Sequence, residues 1–377
     1  MKVYGYGTRS KDRDLEPVVF ERKEPRAGEV AFKVTYCGVC HSDLHQIRND
    51  WQNTRYPCVP GHEVVGEITE VGQGVTKFKK GDLIGVGCMV NSCLECEKCE
   101  TGVENYCQGP VGFTATYNGG VKGGNANTYG GYSTHLVVRE EFGLTVPEGY
   151  NPKYVGPVMC AGITVYSPMK HWDLKAGQTL GVAGIGGLGH MAIKLGKALG
   201  AEVVAFTRNE DKKDEILEMG ADRVVISTND DEMNKAAASL DLLINTIPVP
   251  HDINPYISLM KTDSTIVVVG NMINFKNISP ASMVFNRIGI SGSLIGGIKE
   301  TQEVLDLCAK HDIAPSIKMI TIQDINDIMK VLEEGNDSQF RHVIDMQSLH
   351  DAVEKMKDEV KQLDLPDRGE VVNRKAV

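Results

Sequence analysis

The turn Gly184-Ile185-Gly186-Gly187-Leu188-Gly189 follows an apolar run, Thr179–Ala183, and opens a helical pattern that extends to Leu199. No other feature restricts the fold as strongly. A strand that stops at glycines and restarts as a helix lets backbone N–H groups and the helix N-terminus face an anion at close range. The rhythm then repeats. Glu202–Thr207, a helix over Asp211–Met219 and Arg223–Ile226 come first, and Leu242–Asn245, Thr265–Gly270 and Ile288–Ser291 follow. From about residue 163 this alternation predicts a doubly wound parallel sheet, and in that context the G-x-G-x-x-G turn predicts a dinucleotide's pyrophosphate as its ligand.

The first 150 residues read differently, as short strands broken by Gly and Pro: 30–36, 64–68 and 136–138 are the clearest. A chain of 377 residues exceeds one ordinary core, so two domains are expected. The mostly β domain spans 1–162 and the dinucleotide domain 163–297. Residues 298–349 lose the alternating rhythm and are expected to return to the first domain. The Gly/Asn-rich stretch 117–131 reads as a surface loop with little capacity to pack. The charged extension 350–377 carries an apolar stripe, Leu349, Val353, Met356, Val360 and Leu363, expected on one helix face that docks or frays.

Cys93, Cys96, Cys99 and Cys107 fall within fifteen residues. Four thiolates so spaced suit one tetrahedral zinc, and a closed sulfur shell is structural. A second, open zinc site can be drawn from Cys40, His62 and Cys160, since two thiolates and an imidazole leave a position for a reacting oxygen. Separation along the chain does not itself bring these three together. Cys37, Cys58, Cys88 and Cys308 read as apolar filler.

Beyond the second parallel strand come Thr207-Arg208-Asn209 and then Lys212 and Lys213. A carboxylate at that strand end would bind both ribose hydroxyls of NAD. Its absence, with Arg208 in place, favours the 2′-phosphate of NADP(H). The formal net charge of −10 gives nucleic-acid binding no electrostatic support. No apolar run is long enough to span a bilayer and no secretory h-region is visible, so a cytoplasmic protein with reduced thiols is expected.

The stretches CGVCHSDLH, VPGHEVVG, the four-cysteine loop, CAGITVYSP, GIGGLGHMAIK and GSLIGGIKET resemble the zinc-containing medium-chain alcohol dehydrogenases of the cinnamyl-alcohol-dehydrogenase type, over roughly residues 1–349. The resemblance implies an α/β protein, a Rossmann doubly wound parallel sheet joined to a mostly β, GroES-like catalytic domain. It implies two zinc ions per subunit, one structural and one catalytic, the latter held by Cys40, His62 and Cys160 with Glu63 as an alternative ligand and Asp43 orienting His62. Ser42 and His45 would relay the alcohol proton. His41 would contact pyrophosphate, and Thr164 and Thr246 would line the coenzyme. The implied activity is NADP(H)-dependent aldehyde reduction to a primary alcohol by a homodimer. A polyol (mannitol-type) dehydrogenase and a non-catalytic dinucleotide sensor are the alternatives.

Overall fold

A computed structural model describes residues 1–110, 112–119, 127–270, 274–275, 277–335, 340–357 and 360–363. Six strands form one wholly parallel sheet in the order Arg223–Ile226, Glu202–Thr207, Thr179–Ala183, Leu240–Asn245, Met260–Val268, Gly289–Gly292. Its central strands read as continuous apolar runs because helices cover both faces. The strand order reverses at Thr179–Ala183, whose neighbours are the second and the fourth strands in sequence. Connections leave in opposite directions there, which opens a crevice beyond the strand ends. The glycine-rich turn lies at that point.

A second sheet of seven strands runs Ile317–Thr321, Arg341–Asp345, Glu29–Gly38, Val64–Val71, Leu83–Val86, Leu144–Thr145, with His135–Arg139 also paired to Glu29–Gly38. The chain therefore leaves this sheet, builds the parallel one, and comes back to add two strands. One core, with Phe32, Ile68, Leu136 and Ile344, fills the mainly antiparallel unit. Another joins Val65, Val158 and Met159 to Leu180, Met191 and Val304, so the two sheets share apolar contacts around the helical segments from Pro152 to His171.

Two expectations are corrected. The stretch 117–131 does pack at both ends: Tyr117 and Thr128 are buried, and Tyr129 stacks edge-on against Phe20 with centroids 4.8 Å apart. Its glycines disguised the tyrosine anchors; residues 120–126 lie outside the described part. The apolar stripe of the extension is real but not one helix. Helix Gln347–Met356 ends, and Lys361–Gln362 pairs as a strand parallel to Glu16–Glu21. Leu349, Met356 and Leu363 are buried on the first core, with Val360 packed against it.

Candidate active site

Two residues beyond strand Glu29–Gly38 lies Cys40, which caps helix His41–Arg48. The cap is reciprocal: Asp43 N–H donates to Cys40 O, and Cys40 N–H donates to Asp43 Oδ2 at 2.9 Å. The Cys40 sulfur thus sits at a helix N-terminus, where partial positive charge favours a thiolate. His62 and Glu63 arrive from the turn after Gly61, whose φ of +102° is a glycine conformation. A side chain at Gly38 would occupy the Glu63 carboxylate's space. Cys160 comes from a π-helical turn, Val158–Gly162, the kind of helix irregularity that recurs at functional sites.

These segments place one ligand atom each of Cys40, His62, Glu63 and Cys160 within 4.8 Å of one another, all buried. The two sulfurs are 3.9 Å apart and His62 Nε2 is 3.3 Å from the Cys160 sulfur. His62 Nδ1 meets Asp43 Oδ1 at 3.1 Å, so Nε2 is the nitrogen turned to the sulfurs. Asp43 also accepts from Gly61 N–H and from the Tyr132 hydroxyl, and has no exposed surface. Tyr117 packs edge-on to the His62 ring, centroids 5.4 Å apart. The hydrogen bond from Cys160, and then the charges of Arg341 and His62, hold the Cys40 thiol well below its usual range against burial. Burial disfavours charge on His62, but Asp43, Cys88 and Cys40 together outweigh it and hold the imidazole well above its usual range.

Glu63 is the exception in a well-bonded cluster. Both carboxylate oxygens are buried without a hydrogen bond among the described residues, and burial pushes the group up to about 7. Arg341 pairs with it at 3.4 Å. Two thiol sulfurs, an aromatic nitrogen and an underused carboxylate are a donor set that fits zinc.

In the cysteine loop the sulfurs of Cys93, Cys96, Cys99 and Cys107 stand 3.4–3.9 Å apart. Four sulfurs at about 2.3 Å from one zinc form a tetrahedron with edges of about 3.8 Å. Backbone N–H groups of Cys93, Cys96 and Gln108 point at these sulfurs, as suits thiolates. The loop fits a closed structural site.

The dinucleotide turn is half-exposed from Gly184 to Leu188. Gly184 has φ +88°, and a side chain at Gly189 would strike the Gly184 carbonyl, so both glycines are required by the turn. Arg341 lies over Gly187, and its Nε is buried without a hydrogen-bond partner among the described residues. An orphaned guanidinium nitrogen beside a phosphate-type cradle fits a pyrophosphate. Thr246 bonds through Oγ1 to Gly184 O at 2.6 Å, and Thr164 is buried in the first turn of helix Ile163–His171. Thr207 closes the second strand and receives Asn209 N–H. Arg208 and Asn209 are exposed, whereas Lys212 and Lys213 are half-buried.

His41, Ser42 and His45 lie on helix His41–Arg48, with Ser42 and His45 three residues apart and so on one face. His45 Nδ1 meets Asp50 Oδ2 at 2.8 Å, and Trp51 stands 5.6 Å from its ring. Sequence reasoning missed Arg341, which no motif announces, and it misread Cys88. That thiol is half-buried, bonds to Met159 O, and influences Cys160, whereas Cys37, Cys58 and Cys308 sit in the apolar cores as expected. The signal for Cys88 was its place at a strand end before the cysteine loop.

Comparison with known proteins agrees with this geometry. Residues 26–148 match the alcohol dehydrogenase GroES-like domain and residues 187–310 the zinc-binding dehydrogenase domain. Aldehyde reductase YahK of Escherichia coli is 46% identical over 353 residues, covering 93% of this chain and all of the relative. Among solved structures, a cinnamyl alcohol dehydrogenase of Sorghum bicolor superposes with TM-score 0.86 at 40% identity, covering 92% of this chain and 98% of that one. The CAD of Helicobacter pylori in complex with NADP(H) gives 0.83 at 38%, covering 92% and 99%.

Proposed function

The chain belongs to the zinc-binding alcohol dehydrogenase family, and from that premise we propose that its working direction is the reduction of an aldehyde to a primary alcohol with NADPH as hydride donor. Reversible alcohol–aldehyde redox with zinc and NADP(H) is the activity of this enzyme. The observation that carries the reading is the buried Cys40–His62–Glu63–Cys160 cluster, gathered in a chain that also holds a half-exposed dinucleotide turn. Residues 1–162 with 298–349 act as the catalytic unit and 163–297 as the coenzyme unit.

Bound at these places, the metal supplies Lewis acidity toward a carbonyl oxygen and the coenzyme supplies the hydride. The protein's own residues do the rest. Asp43 holds the His62 imidazole with Nε2 toward the two sulfurs, and Cys40 and Cys160 complete the grip. Gly184–Gly189 and Arg341 seat the pyrophosphate, Thr164 and Thr246 line the coenzyme, and His41 contacts phosphate. Arg208, Asn209, Lys212 and Lys213 face the 2′-phosphate side. Ser42 Oγ supplies the proton to the nascent alcohol, and His45 refills it from solvent. Asp50 engages Nδ1 of His45, which leaves Nε2 as the exchanging position.

The enzyme is proposed to work as a homodimer. Gly289–Gly292 is the edge strand of the parallel sheet, with no strand beyond it among the described residues, and the helix leading into it, Pro280–Asn286, exposes Val284 at 75% and Phe285 at 86%. A sheet edge flanked by large apolar side chains is a pairing surface. Among the described residues no helix is long and apolar enough to cross a membrane. Six thiols gathered in two metal sets suit the reducing cytoplasm.

The decisive assay follows reduced-nicotinamide absorbance with an aromatic aldehyde, an aliphatic aldehyde and a sugar alcohol, each with NADP(H) and NAD(H). Cys40→Ala should lose aldehyde reduction and one zinc while keeping the other. Undiminished turnover in that variant, or faster sugar-alcohol oxidation in the wild type, would overturn the proposal.

A further inference from the structure

One buried histidine takes no part in the scheme above. His190 is 1% exposed at the start of helix Gly189–Ala198, and Lys194 follows it one turn later on the same face. Both side chains reach the segment that enters strand Ile317–Thr321. Lys194 Nζ donates to Ala314 O at 2.6 Å, and Ser316 N–H donates to His190 Nε2 at 3.3 Å. The other ring nitrogen of His190, Nδ1, lies 3.3 Å from the carbonyl of Gly186 inside the dinucleotide turn.

These partners fix the chemistry of the ring. A carbonyl can only accept and an amide N–H can only donate, so the proton sits on Nδ1 and Nε2 keeps its lone pair. Burial, and then the charges of Lys194 and Arg341, push the imidazole down to about 3, which agrees with a permanently neutral bridge. The bridge continues beyond Ser316. Ser316 O accepts from Arg341 N–H at 2.8 Å, and the Arg341 side chain lies over Gly187 and pairs with Glu63. One imidazole therefore ties the coenzyme turn to the strand pair that reaches the metal cluster. Beside it the Lys194–Ala314 bond and apolar contacts also join the two sheets, but of these links it is the His190 bridge that reaches the coenzyme turn itself.

We propose that His190 is a positioning residue for hydride transfer: by bridging Gly186 to Ser316 it sets the coenzyme turn's place relative to Cys40, His62 and Cys160. The inference rests on the proposed dehydrogenase function and adds to it a residue outside the metal set and the proton relay. A reacting pair displaced by about 1 Å can lose about 100-fold in rate, so a bridge holding two bodies in register affects turnover more than affinity.

The test compares the wild type with His190→Leu, which keeps the volume without polar atoms, and with His190→Gln, which restores an acceptor for Ser316 N–H. Lys194→Met serves as the control, since it breaks the neighbouring clasp without touching the turn. In His190→Leu, kcat for aldehyde reduction should fall about 10- to 100-fold, and the isotope effect with NADPH deuterated at the transferred position should rise. The NADPH dissociation constant, read from nicotinamide fluorescence, should change by less than about threefold and both zinc ions should stay bound. His190→Gln should recover most of kcat, and Lys194→Met should stay within about twofold of the wild type.

Unchanged kcat and isotope effect in His190→Leu would refute the proposal. So would an equal loss in Lys194→Met, a loss of NADPH affinity matching the loss of rate, or no recovery in His190→Gln. A wild type that reduces no aldehyde would sink the proposed function instead. The emission maximum of bound NADPH would then decide the role of His190: shifted in the leucine variant and restored in the glutamine variant, or unmoved in both, which overturns it.

Discussion

Replacing Asp43 by Asn tests the catalytic cluster with a change of one heavy atom. The carboxylate accepts four hydrogen bonds: Oδ1 takes Gly61 N–H at 2.9 Å and His62 Nδ1 at 3.1 Å, and Oδ2 takes Cys40 N–H at 2.9 Å and the Tyr132 hydroxyl at 3.3 Å. An asparagine has one acceptor oxygen and must aim its NH2 at one of these pairs. If the oxygen stays on the Gly61–His62 side, the Tyr132 hydroxyl can turn to accept, but Cys40 N–H faces a donor. That buried orphan costs about 1–3 kcal/mol, at the helix cap that carries a ligand sulfur. If the amide flips, His62 Nδ1 faces a donor, and the ring moves its proton to Nε2, the nitrogen the metal needs. Either way the ligands are less well held. Losing such an orienting partner typically weakens metal affinity 10- to 100-fold, or about 1.4–2.7 kcal/mol. Dialysis against a graded chelator with metal counted per chain reads this directly. Wild type and Asp43→Asn should both retain the zinc of the cysteine loop, whose ligands make no contact with Asp43. The other zinc should leave the variant at a 10- to 100-fold lower chelator concentration. Two superimposable release curves would refute the argument that Asp43 orients His62 and Cys40.

Other perturbations follow from the same structure. His190 at about 3 and His135 at about 4 both lie below the unfolded value near 6.5, mainly through burial. The unfolded chain therefore binds more protons below pH 6.5, so their stabilisation is complete above that pH and is lost as pH falls toward 4 and then 3. For fully buried His190 this amounts to about 2 kcal/mol between pH 7 and 5. His135 is part-exposed and contributes less after solvent screening. Urea unfolding at the two pH values should show a drop that shrinks by about that amount in His190→Gln, and an unchanged pH slope would contradict it. Arg208→Ala should cut kcat/KM with NADPH about tenfold and leave NADH alone, because an exposed guanidinium supplies one charged contact to a 2′-phosphate. Equal losses with both coenzymes would place Arg208 elsewhere. Phe285→Asp should shift the sedimentation coefficient from dimer to monomer, and no change would move the interface away from the Gly289–Gly292 edge.

Legibility in the sequence followed the strength of local signals. Thr179–Ala183, Glu202–Thr207 and Arg223–Ile226 were read to the residue, because buried parallel strands are uninterrupted apolar runs that end where glycine or polar residues begin. The helix expected over 211–219 begins as a 3-10 turn, Glu210–Lys212, since Asn209 caps Asp211 N–H and draws the first turn tight. In the extension, Leu349, Met356 and Leu363 recur every seven residues, a spacing that suits a helix stripe. Tertiary pairing overrode it: Leu363 N–H bonds to Val19 O, and the strand edge of Glu16–Glu21 captures the backbone before it.

The site divides in the same way, by how much of its chemistry is local. Cys93, Cys96, Cys99 and Cys107 are legible because the chain between them is too short to separate the sulfurs. Cys40 was legible as a candidate ligand, and Ser42 and Asp43 only through the family resemblance; that all three open one helix is a result of folding. Arg341 had no such signal. It comes from a strand that pairs antiparallel with Glu29–Gly38 by Val343 opposite Gly38, a register fixed by more than 300 residues of intervening fold. That pairing carries the guanidinium between Glu63 and Gly187. The strand return is thus the step that makes one site of two: it delivers a single charge that the buried carboxylate needs on one side and a pyrophosphate needs on the other. A residue whose partners are both distant, and both created by folding, leaves no periodicity or spacing to read, which is why Arg341 and His190 emerge from packing alone.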